Sequence, residues 1–159
     1  MFLARLLTLT GLLSIGFSAL ADSITPGAGW AVFESQYSYK QLVKRTRAEV
    51  KAEPGLLVVT QAGPTKAAAK RGIVIPGNRV IGVYGPGYAV RAIRLSVRAM
   101  IEAPIRMYVT EDSDGTATLS YKTPTLVFTP YFAEGGHELK AMAEELGSKF
   151  AAIAARAIE

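Results

Sequence analysis

Arg79-Val80-Ile81-Gly82-Val83-Tyr84, closed by Gly85-Pro86-Gly87, is the stretch that decides the fold. An apolar, β-branched run stopped by Gly-Pro-Gly reads as a strand with an abrupt end. From Tyr88 the period lengthens. Ala89, Val90, Ile93, Val97, Met100 and Ile101 then share one side of a predicted helix, while Arg91, Arg94 and Arg98 share another. Pro104 closes that helix. Ile105–Glu111 and Thr116–Tyr121 alternate around Asp112-Ser113-Asp114-Gly115, which predicts an antiparallel hairpin. Its apolar set (Ile105, Met107, Val109, Leu119, Tyr121) should enter the core. Arg106, Tyr108, Thr110, Thr116, Thr118 and Ser120 should form the opposite, polar face.

Upstream, Gly29–Tyr37 alternates Trp30 and Val32 against Ala31 and Phe33, a first strand. Ser38 with Gln41 has capping-box spacing and opens a helix with Tyr39, Leu42, Val43, Thr46 and Val50 on one stripe. Glu53-Pro54-Gly55 ends it, and Leu56–Thr60 predicts a second strand. Lys66–Arg71 predicts a short helix ended by Gly72, and Ile73-Val74-Ile75 a brief strand or buried bridge. Downstream, Thr123–Ala133 carries Pro124 and Pro130 and predicts a loop with room for one edge strand. Leu139, Met142, Leu146, Phe150 and Ile153 define a terminal helix over 136–158. The order predicts a single α+β domain over 29–159, its sheet mostly antiparallel and its helices on one face.

The N-terminus reads as a separate signal. Arg5 precedes an apolar Leu6–Phe17 run too short to span a membrane comfortably, and Ala19-Leu20-Ala21 has small-x-small spacing. A cleaved leader over 1–21, a linker over 22–28 and a periplasmic or secreted product are the expectation; an uncleaved anchor is the alternative. The chain has no cysteine, which excludes disulfides, thiolate nucleophiles and thiolate metal ligands. Its net charge of +5 permits attraction to anionic surfaces without requiring it.

Gly55-x-x-Val58, Ala67-Ala68-Ala69-Lys70-x-Gly72, the strand into Gly85, Pro104-Ile105-x-Met107-x-Val109-x-Glu111-Asp112, Gly115 and Leu119-x-Tyr121-x-x-Pro124 carry a family resemblance over 55–124. The chain resembles the bacterial group known as domain of unknown function 302. The resemblance implies a small α+β fold with one antiparallel sheet, and a homodimer; it carries over no catalytic residue. Two departures stand out. Gly63-Pro64 occupies the place of a frequent Asp-His pair, and Gly85-Pro86-Gly87 that of a frequent Gly-Asn-Pro. Any chemistry resting on that histidine is absent here.

Two basic groupings bear on ligands. Gly85 and Gly87 at a helix start, with Arg91 and Arg94 following, suit a small anion held by backbone N–H groups and guanidinium. A tight turn with a solvated basic side explains the same residues, Pro86 donates no N–H, and Arg98 lies beyond reach of the helix tip. Lys40, Lys44, Arg47 and Lys51 line one side of the first helix, either a plain solvent face or a contact for anionic lipid. Asp112–Gly115 is a turn rather than a calcium loop, since the distant bidentate Glu is missing. His137 alone makes a poor metal site. Tyr37, Tyr84, Tyr108 and Tyr121 could line a pocket with Arg79 and Arg106, or an interface.

The expected function is an exported binding or interaction module without cofactor or metal. Its ligand, a small anion, would meet Arg79, Gly85, Gly87, Arg91, Arg94, Arg106, Tyr108 and Thr118. A metal-free, hydrolase-like enzyme using tyrosine, arginine or Glu111, and a peripheral binder of anionic membranes, are the alternatives. Nucleic acid is not an expected partner for an exported chain.

Overall fold

A computed structural model describes residues 24–159; the expected leader lies outside the described residues. Strand β1 (Trp30–Ser38) leads into helix α1 (Tyr39–Ala52). Gln41 Oε1 accepts from the Ser38 backbone N–H at 3.0 Å, as the sequence spacing requires. Leu42, Thr46 and Val50 are buried along α1. Strand β2 (Leu57–Ala62) follows, then the short helix α2 (Thr65–Ala69), where Gly72 adopts φ +71°. Ile73 and Val74 form neither strand nor bridge and stand exposed.

Strand β3 (Asn78–Tyr84) is followed by helix α3 (Pro86–Leu95). The predicted single helix up to Pro104 breaks at Ser96, whose hydroxyl accepts the Ala99 backbone N–H at 3.1 Å. A 3-10 turn (Arg98–Glu102) completes the segment. Its burial also departs from expectation. Ala89, Ala92, Ser96 and Ala99 face inward, whereas Val90, Ile93, Val97 and Ile101 are exposed. Small side chains let α3 approach its neighbours closely, so the wide apolar stripe turns outward.

Strands β4 (Ile105–Glu111) and β5 (Thr116–Lys122) form the expected hairpin, with Gly115 at φ +86° in its turn. Thr123–Ala133 is helical rather than looped: α4 (Pro124–Phe128), a 3-10 turn (Thr129–Tyr131), then α5 (Phe132–Ile158). Thr123 Oγ1 accepts from the Leu126 N–H at 3.2 Å, and Pro124 sits at the first helical position, where a missing N–H costs nothing. Gly136, the predicted start of the terminal helix, is instead a kink within α5 at φ +60°.

The sheet order is β1-β5-β4-β3-β2, with every neighbouring pair antiparallel. Ile81, Val83, Ile105, Met107, Val109, Leu119 and Tyr121 all point to one face. There they join Leu42, Val50, Leu139, Met142, Phe150 and Ile153 in a continuous core. Helices cover that face alone. The result is an α+β domain with a single antiparallel sheet.

Candidate functional site

Antiparallel partners share a face, so register decides what the uncovered side presents. Pairs Trp30–Lys122, Tyr108–Ser120, Val80–Tyr108 and Gly82–Arg106 all lie there. Trp30, Val80, Arg106, Tyr108 and Lys122 line a concavity of about 500 Å³, bordered also by Pro64, Asn78, Glu102, Ile105, Tyr121 and Val127. That volume suits a small organic molecule. Gly82 pairs with Arg106 in register. A Cβ there would collide with the Thr60 hydroxyl and come within 3.0 Å of Pro104 Cγ.

Two cations and one carboxylate frame the concavity. Glu102 accepts from the Tyr131 hydroxyl at 2.7 Å, a bond that holds the Tyr131 phenol above its ordinary pKa. Among the described residues neither Arg106 nor Lys122 has a carboxylate within ion-pair distance. Lys122 Nζ sits 5.7 Å from the Trp30 ring centroid, in cation–π range. Burial in the core pushes the Tyr121 phenol up to about 12. The described residues hold no cluster of three metal-ligating side chains.

The eight expected site residues divide between the two faces. Arg106 and Tyr108 meet in the concavity. Thr118 is on the same face but fully buried, its hydroxyl donating to Asp112 Oδ2 at 2.8 Å. Arg79 pairs with Val109 and therefore lies on the helix-covered side, contrary to the polar-face grouping. Gly85 starts α3, where a Cβ would press on the Tyr88 ring at 2.7 Å and Leu56 at 2.9 Å. Its glycine serves packing. Gly87 is exposed, and Arg91 is taken by Glu145 at 2.6 Å. Arg94 borders a shallow groove with His137 and Glu138.

The tyrosine group divides too: Tyr108 reaches the concavity, the Tyr121 ring lies in the core against Phe33 and Phe150, and the Arg45 guanidinium stacks 4.4 Å over the Tyr37 ring. Glu111 accepts from the Gly77 N–H at 2.6 Å on the covered side, away from Arg106 and Tyr108. Trp30 and Lys122 were missed by sequence reasoning. Alternation puts Trp30 on one side of its strand without saying which, the expected strand stopped at Tyr121, and only the pairing of β1 with β5 makes Trp30 and Lys122 neighbours.

The architecture defines a one-sheet α+β domain with a helical layer on one side and an open, concave second side. A family model described as domain of unknown function DUF302 matches residues 31–157, and the chain belongs to that family. Its fold is similar to the crystal structure of an uncharacterized conserved DUF302 protein from Bacillus stearothermophilus. The two share 18% identity at a TM-score of 0.72, over 82% of this chain and 99% of that one. No curated protein matches.

Proposed function

We propose that this chain is a small exported binding module whose ligand lies across the open sheet face, between Trp30, Tyr108, Arg106 and Lys122. The observation that carries the reading is the concavity itself: two cations with no carboxylate partner among the described residues flank aromatic and aliphatic walls. That chemistry suits a compact organic carboxylate with an apolar or aromatic body. A homodimer accompanies the proposal. β2 is a sheet edge with Leu57 and Val59 exposed, suited to another copy of the same strand.

Thermal shift with phenylacetate, benzoate and sulfate tests the site. Saturable stabilisation by the aromatic carboxylates, lost in Arg106→Ala and Tyr108→Ala but kept in Arg94→Ala, is expected. No stabilisation, or stabilisation indifferent to Arg106, overturns it.

A further inference from the structure

The exposed aliphatic side chains of α3 and of the segment that follows it lie on the helical side of the molecule, apart from the ligand concavity. Val90, Ile93, Val97 and Ile101 are 52%, 48%, 74% and 80% exposed. At about 100° per residue, Arg91 and Arg94 fall on the adjoining strip of α3. Arg98 follows at the start of the 3-10 turn, its side chain 77% exposed. Between Glu53 and Glu102 the chain has no acidic residue.

Helix α5 supplies the nearby carboxylates. Glu145 takes Arg91 at 2.6 Å, Glu134 lies 3.9 Å from Arg98, and Glu138 borders the groove beside Arg94. Among the described residues Arg94 has no ion-pair partner.

We propose that this face of α3 and its 3-10 turn docks on an anionic bilayer surface. The aliphatic side chains enter the headgroup boundary, and Arg94 and Arg98 meet lipid phosphates beside them. Arg94 has no ion-pair partner among the described residues and Arg98 stays largely exposed, so the strip keeps positive charge that lipid phosphate can meet and that a second copy would only repeat. Four aliphatic side chains also fall far short of the roughly 20–30 residues a side of a standard interface. No helix among the described residues is long and apolar enough to cross a membrane, so the contact is one of lying on the surface.

The absence of cysteine makes the test site-specific. Val97→Cys and, as control, Ser113→Cys in the β4–β5 turn each carry an environment-sensitive fluorophore on the full chain. Vesicles are phosphatidylcholine alone or mixed with phosphatidylglycerol. The label at 97 should shift blue on phosphatidylglycerol vesicles while that at 113 stays unchanged, whatever residues 1–21 do on the same vesicles. Ile93→Asp with Ile101→Asp should raise the lipid needed roughly tenfold or more, with far-UV circular dichroism unchanged. Arg94→Glu should weaken the preference for phosphatidylglycerol. A silent label at 97, equal shifts at both positions, or a response indifferent to the double variant overturns the proposal. So does a shift that rises with protein concentration without vesicles, which would give this face to a second copy.

Discussion

At Gly82 a single missing methyl matters. The backbone passes beneath Thr60 and Pro104 with no room for a Cβ, and the residue sits opposite Arg106 in register. Gly82→Ala should destabilise the fold by about 1–3 kcal/mol through overpacking. Thr60→Ala in the same chain should restore part of the loss, as read by thermal melting. Arg106 is a different kind of residue, exposed and without a carboxylate partner among the described residues. Arg106→Ala should leave the melting temperature unchanged and weaken phenylacetate binding about tenfold, the order of one charge-assisted hydrogen bond. Arg79→Ala should leave that binding intact, because strand alternation puts Arg79 on the other side of the sheet.

Between elements, the tie from α1 to α5 is ionic at its rim. Lys149 Nζ reaches Glu53 at 2.6 Å, while Arg156 reaches Glu49 at 2.8 Å and Glu53 at 3.0 Å. Arg45 donates to the carbonyls of Ala157 at 2.7 Å and Arg156 at 2.9 Å, capping the end of α5. The Lys149 hydrogen bond foremost, aided by Arg156 and opposed by burial, holds the Glu53 carboxyl below its ordinary value of 4.5. Glu145, bonded first by Tyr88 and then by Arg91 between α3 and α5, is lowered as well. A carboxyl depressed in the folded chain stabilises it at pH above the unfolded value, and that contribution is lost as pH falls through the folded value. Stability should therefore hold near neutrality and fall progressively below about pH 4.5. Glu53→Gln should cost about 1–2 kcal/mol at pH 7 and flatten the acid limb of a melting-temperature profile.

Across the whole molecule one core joins the sheet to α1, α3, α4 and α5. Phe150 is fully buried at its centre, edge-on to Tyr121 at 5.4 Å between ring centroids. Phe150→Ala should cost about 3–5 kcal/mol and lower the melting temperature by roughly 10 °C or more. Unfolding should stay a single transition, with Trp30 fluorescence on the open face and far-UV circular dichroism giving coincident midpoints. Two separated midpoints would show that the open face melts independently of the helical layer.

Much of this fold was legible along the chain. Alternation in 105–121 placed Met107 and Leu119 inward and Arg106 and Tyr108 outward, and the capping pair Ser38–Gln41 located the start of α1. The α5 stripe from Leu139 to Ile153 was equally plain. Such signals are local, because period and cap chemistry act over a few residues. The remainder required packing. Whether Val90 or Ala89 faces inward depends on how closely α3 can approach its neighbours. Arg79 was grouped with Arg106 until register separated them, and Trp30 meets Lys122 only because the first strand closes the sheet against β5. By itself the sequence determined which residues could share a side of each element. Only the tertiary structure decided which sides found partners and which stayed exposed, since that choice is made by burial between segments far apart in the chain.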